Sequence, residues 1–235
     1  MVEQDAHGSP RRGLADLLRE RTGELHRRVE RSGVIADLLH GRARRSAYLT
    51  LLRNLLPVYE QLERGLESRR GEPGVAGIAE RAVYRSAALA ADLEALGGAS
   101  WAEQLPLSSA GARYAQRVEA AARTSSALLI GHAYTRYLGD LSGGRLLRDL
   151  LARALALGPD ELHFYAYPAI PDLSAFRARY RNAFDEAGRH VDADAVASEA
   201  SAAFQLNLEL SQEIGAASCA LPRTDDMRCW YVGSP

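Results

Sequence analysis

The chain has 235 residues, 47% of them hydrophobic, which suffices for one substantial core and forces no second domain. A formal charge of −1 excludes nucleic-acid or membrane attraction carried by bulk charge. All 29 basic residues are arginine, so any carboxylate-binding site must use guanidinium forks.

Residues 1–12 are polar and read as a disordered start, without the apolar stretch of a secretory signal. A first helix is predicted from about Gly13 into the thirties, with Leu14, Leu17, Leu18, Leu25 and Val29 on its buried stripe. A second begins near Ser46 and carries Tyr48, Leu52, Leu55, Tyr59, Leu62 and Leu66; Pro57 should bend it rather than end it. Arg69 to Gly77 reads as a loop, 78–96 as a helix, Gly97 to Ala110 as the longest connection and 111–122 as another helix. A glycine-bearing helix follows over 125–157, its stripe running through Leu141, Leu146, Leu147, Leu150 and Leu151, and Gly158-Pro159 stops it. Tyr167 to Pro171 is extended, and helices cover 173–188 and 192–214. No alternating strand pattern of useful length occurs, so the fold class is all-α: one helical bundle over 13–215, followed by a polar tail over 216–235. No run approaches the roughly 18 apolar residues of a membrane span. Cys219 and Cys229 both fall in the tail, which suits a reducing cytoplasm without a disulfide framework.

The segment from Gly131 to Arg145 is the most informative. Three glycines, Gly139, Gly143 and Gly144, interrupt a plainly helical pattern, and each costs a helix roughly 1 kcal/mol against alanine. Something must offset that loss. Gly139 and Gly143 are four apart and share a face, so they bare a strip of backbone that a flat object can approach closely. Arg136 and Asp140 sit beside it, also four apart and able to pair. The same spacing equally describes a small-residue helix-packing patch.

The six histidines form neither a His-Glu-x-x-His zinc helix nor paired Glu-x-x-His di-iron motifs. His26 stands apart because it flanks the first helix's apolar stripe, on a polar edge shared with Arg19 and Glu30. Such an imidazole suits an axial iron ligand oriented by a carboxylate, and it suits a half-buried histidine at a helix interface as well. A serine-hydrolase elbow is excluded because Leu-Ser142-Gly-Gly lacks the G-x-S-x-G pattern and a preceding strand. A phosphate loop is excluded because the glycines lie within a helix rather than leading into one.

Ala133-Tyr-Thr-Arg-Tyr-Leu-Gly-Asp-Leu-Ser-Gly-Gly144 resembles the distal-helix signature of the biliverdin-forming heme (haem) oxygenases. Leu17-Leu-Arg-Glu-Arg-Thr-Gly-Glu-Leu-His26 resembles that family's proximal-helix signature. Tyr59-Glu-Gln-Leu-Glu63, Arg113-Tyr114, Phe164-Tyr-Ala-Tyr-Pro168 and Phe204-Gln-Leu-Asn207 match in order, so the resemblance covers about residues 12–215.

The resemblance implies heme b held between a proximal and a kinked distal helix, serving as both substrate and oxygen-activating cofactor. It implies His26 as the iron ligand and Glu30 as its hydrogen-bond partner. Gly139 and Gly143 would let backbone pass directly over the iron, with Phe204 lining the pocket. Asp140, Tyr59, Tyr114, Arg136 and Asn207 would form a water network that delivers protons during oxygen activation. Arg19, Arg177, Arg181 and Tyr134 would hold the propionates. One departure is Gly23, where members often carry a basic residue; it would loosen one propionate contact. The implied activity is cleavage at the α-meso carbon to biliverdin IXα, Fe²⁺ and CO. Electrons would come from an external redox partner, a ferredoxin, a flavodoxin or an NAD(P)H-dependent reductase. The membrane-anchored members end in an apolar tail, whereas Leu221 to Pro235 is polar. The expectation is therefore a cytoplasmic, soluble, bacterial-type monomer with no nucleic-acid partner and no membrane anchor. The alternative is a heme-binding or storage protein without turnover, which would be favoured by loss of Asp140 or the distal glycines; all are present.

Overall fold

The computed structural model describes residues 13–220, and every regular element in that range is helical. The expected disorder of 1–12 and Cys229 fall outside the described residues. Among the described residues no helix is long and apolar enough to cross a membrane.

Helix α1, Leu14–Glu30, buries Leu14, Ala15, Leu18, Thr22 and Val29. Gly13 at its start offers no side-chain cap, and Asp185 from a distant helix caps it instead, accepting the Ala15 N–H at 2.9 Å. The predicted continuation into the thirties does not occur. The chain breaks at Arg31-Ser32 and restarts as α2, Gly33–Leu39. Gly33 causes the break: its φ is +58°, and a Cβ there would lie 2.1 Å from the Ser211 carbonyl oxygen. Ser211 Oγ secures the crossing by donating to the Ser32 carbonyl and accepting the Ile35 N–H, at 2.8 and 3.0 Å.

Helix α3, Arg45–Ser68, continues through Pro57 as expected. The segment predicted as helix from 78 is instead irregular, with one 3₁₀ turn at Arg81–Val83, and α4 spans only Ser86–Gly97. The buried Glu63 carboxylate sets that start by accepting the N–H groups of Arg85 and Ser86, at 2.6 and 2.9 Å. The long connection carries a short turn of helix, α5, Trp101–Gln104, before α6, Ser109–Thr124.

The predicted continuous helix over 125–157 is three pieces: α7, Ser126–Ala133; a π turn, Tyr134–Leu138; and α8, Gly139–Ala154. Thr135 Oγ1 donates to the Gly131 carbonyl at 3.1 Å, the back-bonding that loosens a helix at that turn. After two 3₁₀ turns, Pro159–Glu161 and His163–Tyr165, come α9, Leu173–Ala187, and α10, Ala193–Ala220. Helix α10 runs beyond the boundary expected at 215 and carries the exposed, free Cys219. It packs against α1, α2, α6 and α7, while α3 packs on α4 and α6. That arrangement sets α1 across from the π turn and α8 with a cleft between them.

Candidate active site

The cleft comprises two cavities that share His26, Gly139 and Phe204. The larger, about 610 Å³, is walled by Arg19, Thr22 and His26 from α1, Tyr134 from the π turn, and Arg177 and Arg181 from α9. The smaller, about 190 Å³, is lined by His26 and Glu30 on one side and by Arg136, Asp140, Gly143 and Asn207 on the other.

His26 is about half exposed, and its ring meets Phe204 edge-on at 5.6 Å. Its Nδ1 faces Glu30 Oε1 at 3.6 Å, longer than the expected hydrogen bond. Nε2 is left as the nitrogen available to a ligand. Across the cleft, a Cβ built on Gly139 or on Gly143 would meet nothing within 4 Å, whereas one on Gly131 would strike the α10 backbone at 2.9 Å. The glycines of this segment therefore divide: Gly131 serves helix packing, and Gly139 and Gly143 face open space.

The expected Arg136–Asp140 pair is not formed. The π turn adds a residue to the intervening turn and spoils the i, i+4 geometry. Asp140 Oδ2 instead accepts a short hydrogen bond from Tyr59 Oη, and Arg136 Nη1 donates to Asn207 Oδ1 at 3.4 Å. Burial lifts the Asp140 carboxyl above its ordinary value, against the opposing pull of Arg136 and of the Tyr59 hydrogen bond. Burial also raises the Tyr59 phenol well above its usual range, so it stays protonated and donates. The Arg136 guanidinium lies 5.9 Å from the Tyr59 ring and 6.0 Å from the Tyr114 ring. Tyr59 and Tyr114 thus stand behind the cavity wall, against Asp140 and Arg136.

Arg19 and Arg177 line the larger cavity and make no ion pair among the described residues, while Arg181 is held by Asp16 at 2.7 Å. The Tyr134 phenol is raised by burial, offset in part by Thr22, Arg181 and Arg19. Sequence reasoning missed Arg27, which also lines this cavity. Its Nη1 lies 3.8 Å from where a Cβ of residue 23 would sit, and its Nη2 is held by Glu24 at 2.7 Å, so a cation stands one turn after Gly23. The i, i+4 relation of the two positions was the available signal. It also missed the wall formed by Phe164 and Tyr165; Leu146, expected to be buried, is 61% exposed beside the smaller cavity.

The residues fit a flat, dianionic, iron-bearing ligand on three counts: a free imidazole nitrogen, a bare backbone facing it, and guanidinium forks at one end. Tyr114 Oη and Arg136 Nε are buried without a protein partner, as expected of groups that belong to a water network.

Comparison with known proteins agrees with that fit. The family model for heme oxygenase matches residues 12–213. Heme oxygenase 1 of Nostoc sp. is 38% identical over 203 residues, 86% of this chain and 85% of the relative. Human heme oxygenase 1 is 32% identical, over 91% of this chain and 75% of its own length. The crystal structure of heme oxygenase-1 from Synechocystis sp. in complex with heme superposes with a TM-score of 0.83 at 32% identity, covering 88% of this chain and 95% of that one.

Proposed function

The chain belongs to the heme oxygenase family, and on that premise we propose that the cleft between α1 and α8 is its heme site, with His26 supplying the iron ligand. The protein is a heme-degrading oxygenase that opens heme with O₂ and reducing equivalents to biliverdin IXα, Fe²⁺ and CO. The site assignment is carried by one observation: in a single cleft, His26 stands opposite Gly139 and Gly143, whose missing side chains leave open space.

Bound heme supplies the iron that binds and activates O₂. Glu30 faces Nδ1 at 3.6 Å and, closing that gap when heme binds, would hold the His26 ring with Nε2 toward the metal. Gly139 and Gly143 admit the porphyrin face and leave no side chain above it to compete as a ligand. Arg19, Arg27, Arg177 and Arg181, with the Tyr134 hydroxyl, take the propionates, which fixes the ring in its plane. Asp140, held in place by Tyr59, anchors water on the O₂ side and passes protons to it. Arg136, Asn207 and Tyr114 complete that polar wall. Electrons come from an external ferredoxin, flavodoxin or NAD(P)H-dependent reductase, and the enzyme works in the cytoplasm as a monomer.

Hemin titration should give a Soret band, and added reductant with O₂ should replace it by the biliverdin spectrum. Unchanged heme binding after His26→Ala and Gly143→Leu together would overturn the site assignment.

A further inference from the structure

Two files of aromatic rings lead away from the cleft, and they end differently. From Tyr59, hydrogen-bonded to Asp140, the first runs to Tyr137 with ring centroids 6.0 Å apart, then to Tyr84, stacked on Tyr137 at 6.1 Å. Tyr84 is half-buried and opens on a surface hollow lined by Glu60, Arg64, Glu67 and Arg81. Its hydroxyl donates to Glu67 Oε1 at 2.8 Å. The second file runs from Tyr134 through Phe184 to Tyr180 and Phe176, at 5.8, 5.4 and 5.8 Å. There the one interior phenol, Tyr180, donates to the Ile78 carbonyl at 2.8 Å.

The difference is chemical. A phenol that loses an electron becomes a far stronger acid than any carboxylic acid, so it gives up an electron readily only where a base takes its proton. Tyr59 and Tyr84 each have a carboxylate in hydrogen-bond contact, and of the two only Tyr84 reaches the surface, whereas a backbone carbonyl cannot hold the proton of Tyr180. Arg81 and Arg70 hold the Glu67 carboxyl well below its usual range, which keeps it ionised and still basic enough for an oxidised phenol. Tyr137 is fully buried and its hydroxyl has no partner, so it can carry an electron through but offers no resting place.

We propose that Tyr59, Tyr137 and Tyr84 form an exit path that moves stray oxidising equivalents from the heme site to the surface, with Tyr84 as terminus and Glu67 as its proton acceptor. The inference rests on the heme-site reading above. The oxidant is hydrogen peroxide acting on bound heme. Its O–O bond breaks, one water leaves, and two oxidising equivalents remain at the heme. One of them takes an electron from Tyr84 by way of Tyr137 and Tyr59, while the Tyr84 phenolic proton passes to Glu67. The neutral tyrosyl radical is then repaired at the surface by a one-electron reductant such as ascorbate, and Glu67 returns the proton.

The test loads the full chain with hemin, adds peroxide and a nitroso spin trap, and maps the adducts by peptide mass spectrometry. The expected adduct is on Tyr84. It should vanish in Tyr84→Phe, which should keep the Soret band and biliverdin formation because Tyr84 touches neither heme nor the proton-delivering groups. Tyr137→Phe keeps the ring but makes it much harder to oxidise and should lower the Tyr84 adduct, while Tyr137→Leu should lose it with the Soret band and melting transition retained. An adduct on Tyr84 that survives Tyr137→Leu, or adducts on Tyr134 or Tyr180 in its place, would overturn the path. If Tyr137→Leu fails to fold, Glu67→Gln serves instead, since it leaves the core intact and should lower the Tyr84 yield; an unchanged yield defeats the proposal. A protein without a Soret band defeats the heme site as well, whereas a Soret band without a Tyr84 adduct defeats this path alone.

Discussion

The two walls of the cleft are built by opposite rules. On the α1 and α9 side the functional side chains stand partly in solvent: His26 and Glu30 are 50% and 49% exposed, and the Arg181–Asp16 pair is 37% and 50% exposed. On the π-turn side Tyr59 and Tyr114 are fully buried, and Arg136 and Asn207 are 8% and 6% exposed. An exposed ion pair is worth at most about 1 kcal/mol, so Arg181 can leave Asp16 for a propionate at little cost. Removing one partner from the buried wall leaves another polar group unsatisfied, at about 1–3 kcal/mol. The open wall is therefore completed by its ligand, and the closed wall is arranged before the ligand arrives.

Breaking each wall in turn tests that contrast. The largest effect is expected at His26, the metal ligand proposed for the open wall. His26→Ala should abolish turnover while leaving the fold, since the exposed imidazole contributes little to packing. Added imidazole should partly restore activity by entering the vacated space. Wild-type spectra and rate without imidazole would show that the iron is held elsewhere.

On the closed wall, Asp140→Ala removes the proposed anchor of proton delivery but none of the arginines proposed to hold the propionates. Heme affinity should stay near normal, biliverdin yield should fall to little, and peroxide should drive peroxidase-like oxidation of an added phenol. An unchanged biliverdin yield would mean that protons arrive through other groups. The loss should not be mimicked by salt, because the wall is too buried for screening to reach it.

A graded effect is expected from the arginines. A porphyrin held only by its axial ligand can turn in its plane, and each charge-assisted contact to a propionate is worth about 1.5–3 kcal/mol. About 1.4 kcal/mol shifts the balance between two orientations roughly tenfold. The wild type should yield mainly the α isomer, and Arg177→Ala with Arg181→Ala should keep iron ligation yet add β or δ isomers. Chromatography of the products reads this directly. A pure α product from the double variant would assign the orientation to the distal wall or to Arg19 and Arg27.

Periodicity alone made the helices legible, because most span several turns and bury one stripe, and the motifs brought His26, Gly139, Asp140, Arg177 and Phe204 to one cleft. What stayed hidden depended on partners far away in the chain. The start of α4 is set by Glu63, the end of α1 by the approach of Ser211 to Gly33, and the π turn lies where Thr135 Oγ1 reaches the Ala200 carbonyl of α10 as well as the local Gly131 carbonyl. Arg136 and Asp140 looked like an i, i+4 pair because the spacing assumes an α-helix through exactly the turn that is not one. Phe164 and Tyr165 matched a family segment without a role attached, because they reach the cleft from a 3₁₀ turn pinned by Asp92, which accepts the His163 and Phe164 N–H groups at 2.7 and 2.8 Å.

The smallest effect separates the needs of the ligand from those of the fold. At Gly143 a Cβ points into open space, and the residue is helical, so Gly143→Ala should stabilise the heme-free protein by about 1 kcal/mol. For a chain of this size that corresponds to a rise of roughly 2–4 °C in melting temperature. The same methyl occupies the space that the porphyrin face must enter, so hemin should bind more weakly to the more stable protein. Gly111→Ala is the control, because its Cβ would lie 2.1 Å from Asn54 Oδ1, which already accepts the Ser108 N–H at 2.8 Å. That variant should melt lower, with hemin binding unaffected once it is folded. Opposite signs in melting, with weaker binding only at Gly143, would identify the bare strip on α8 as a feature kept for the ligand at the expense of the helix. Equal hemin affinity in Gly143→Ala and wild type would instead place the porphyrin away from this strip.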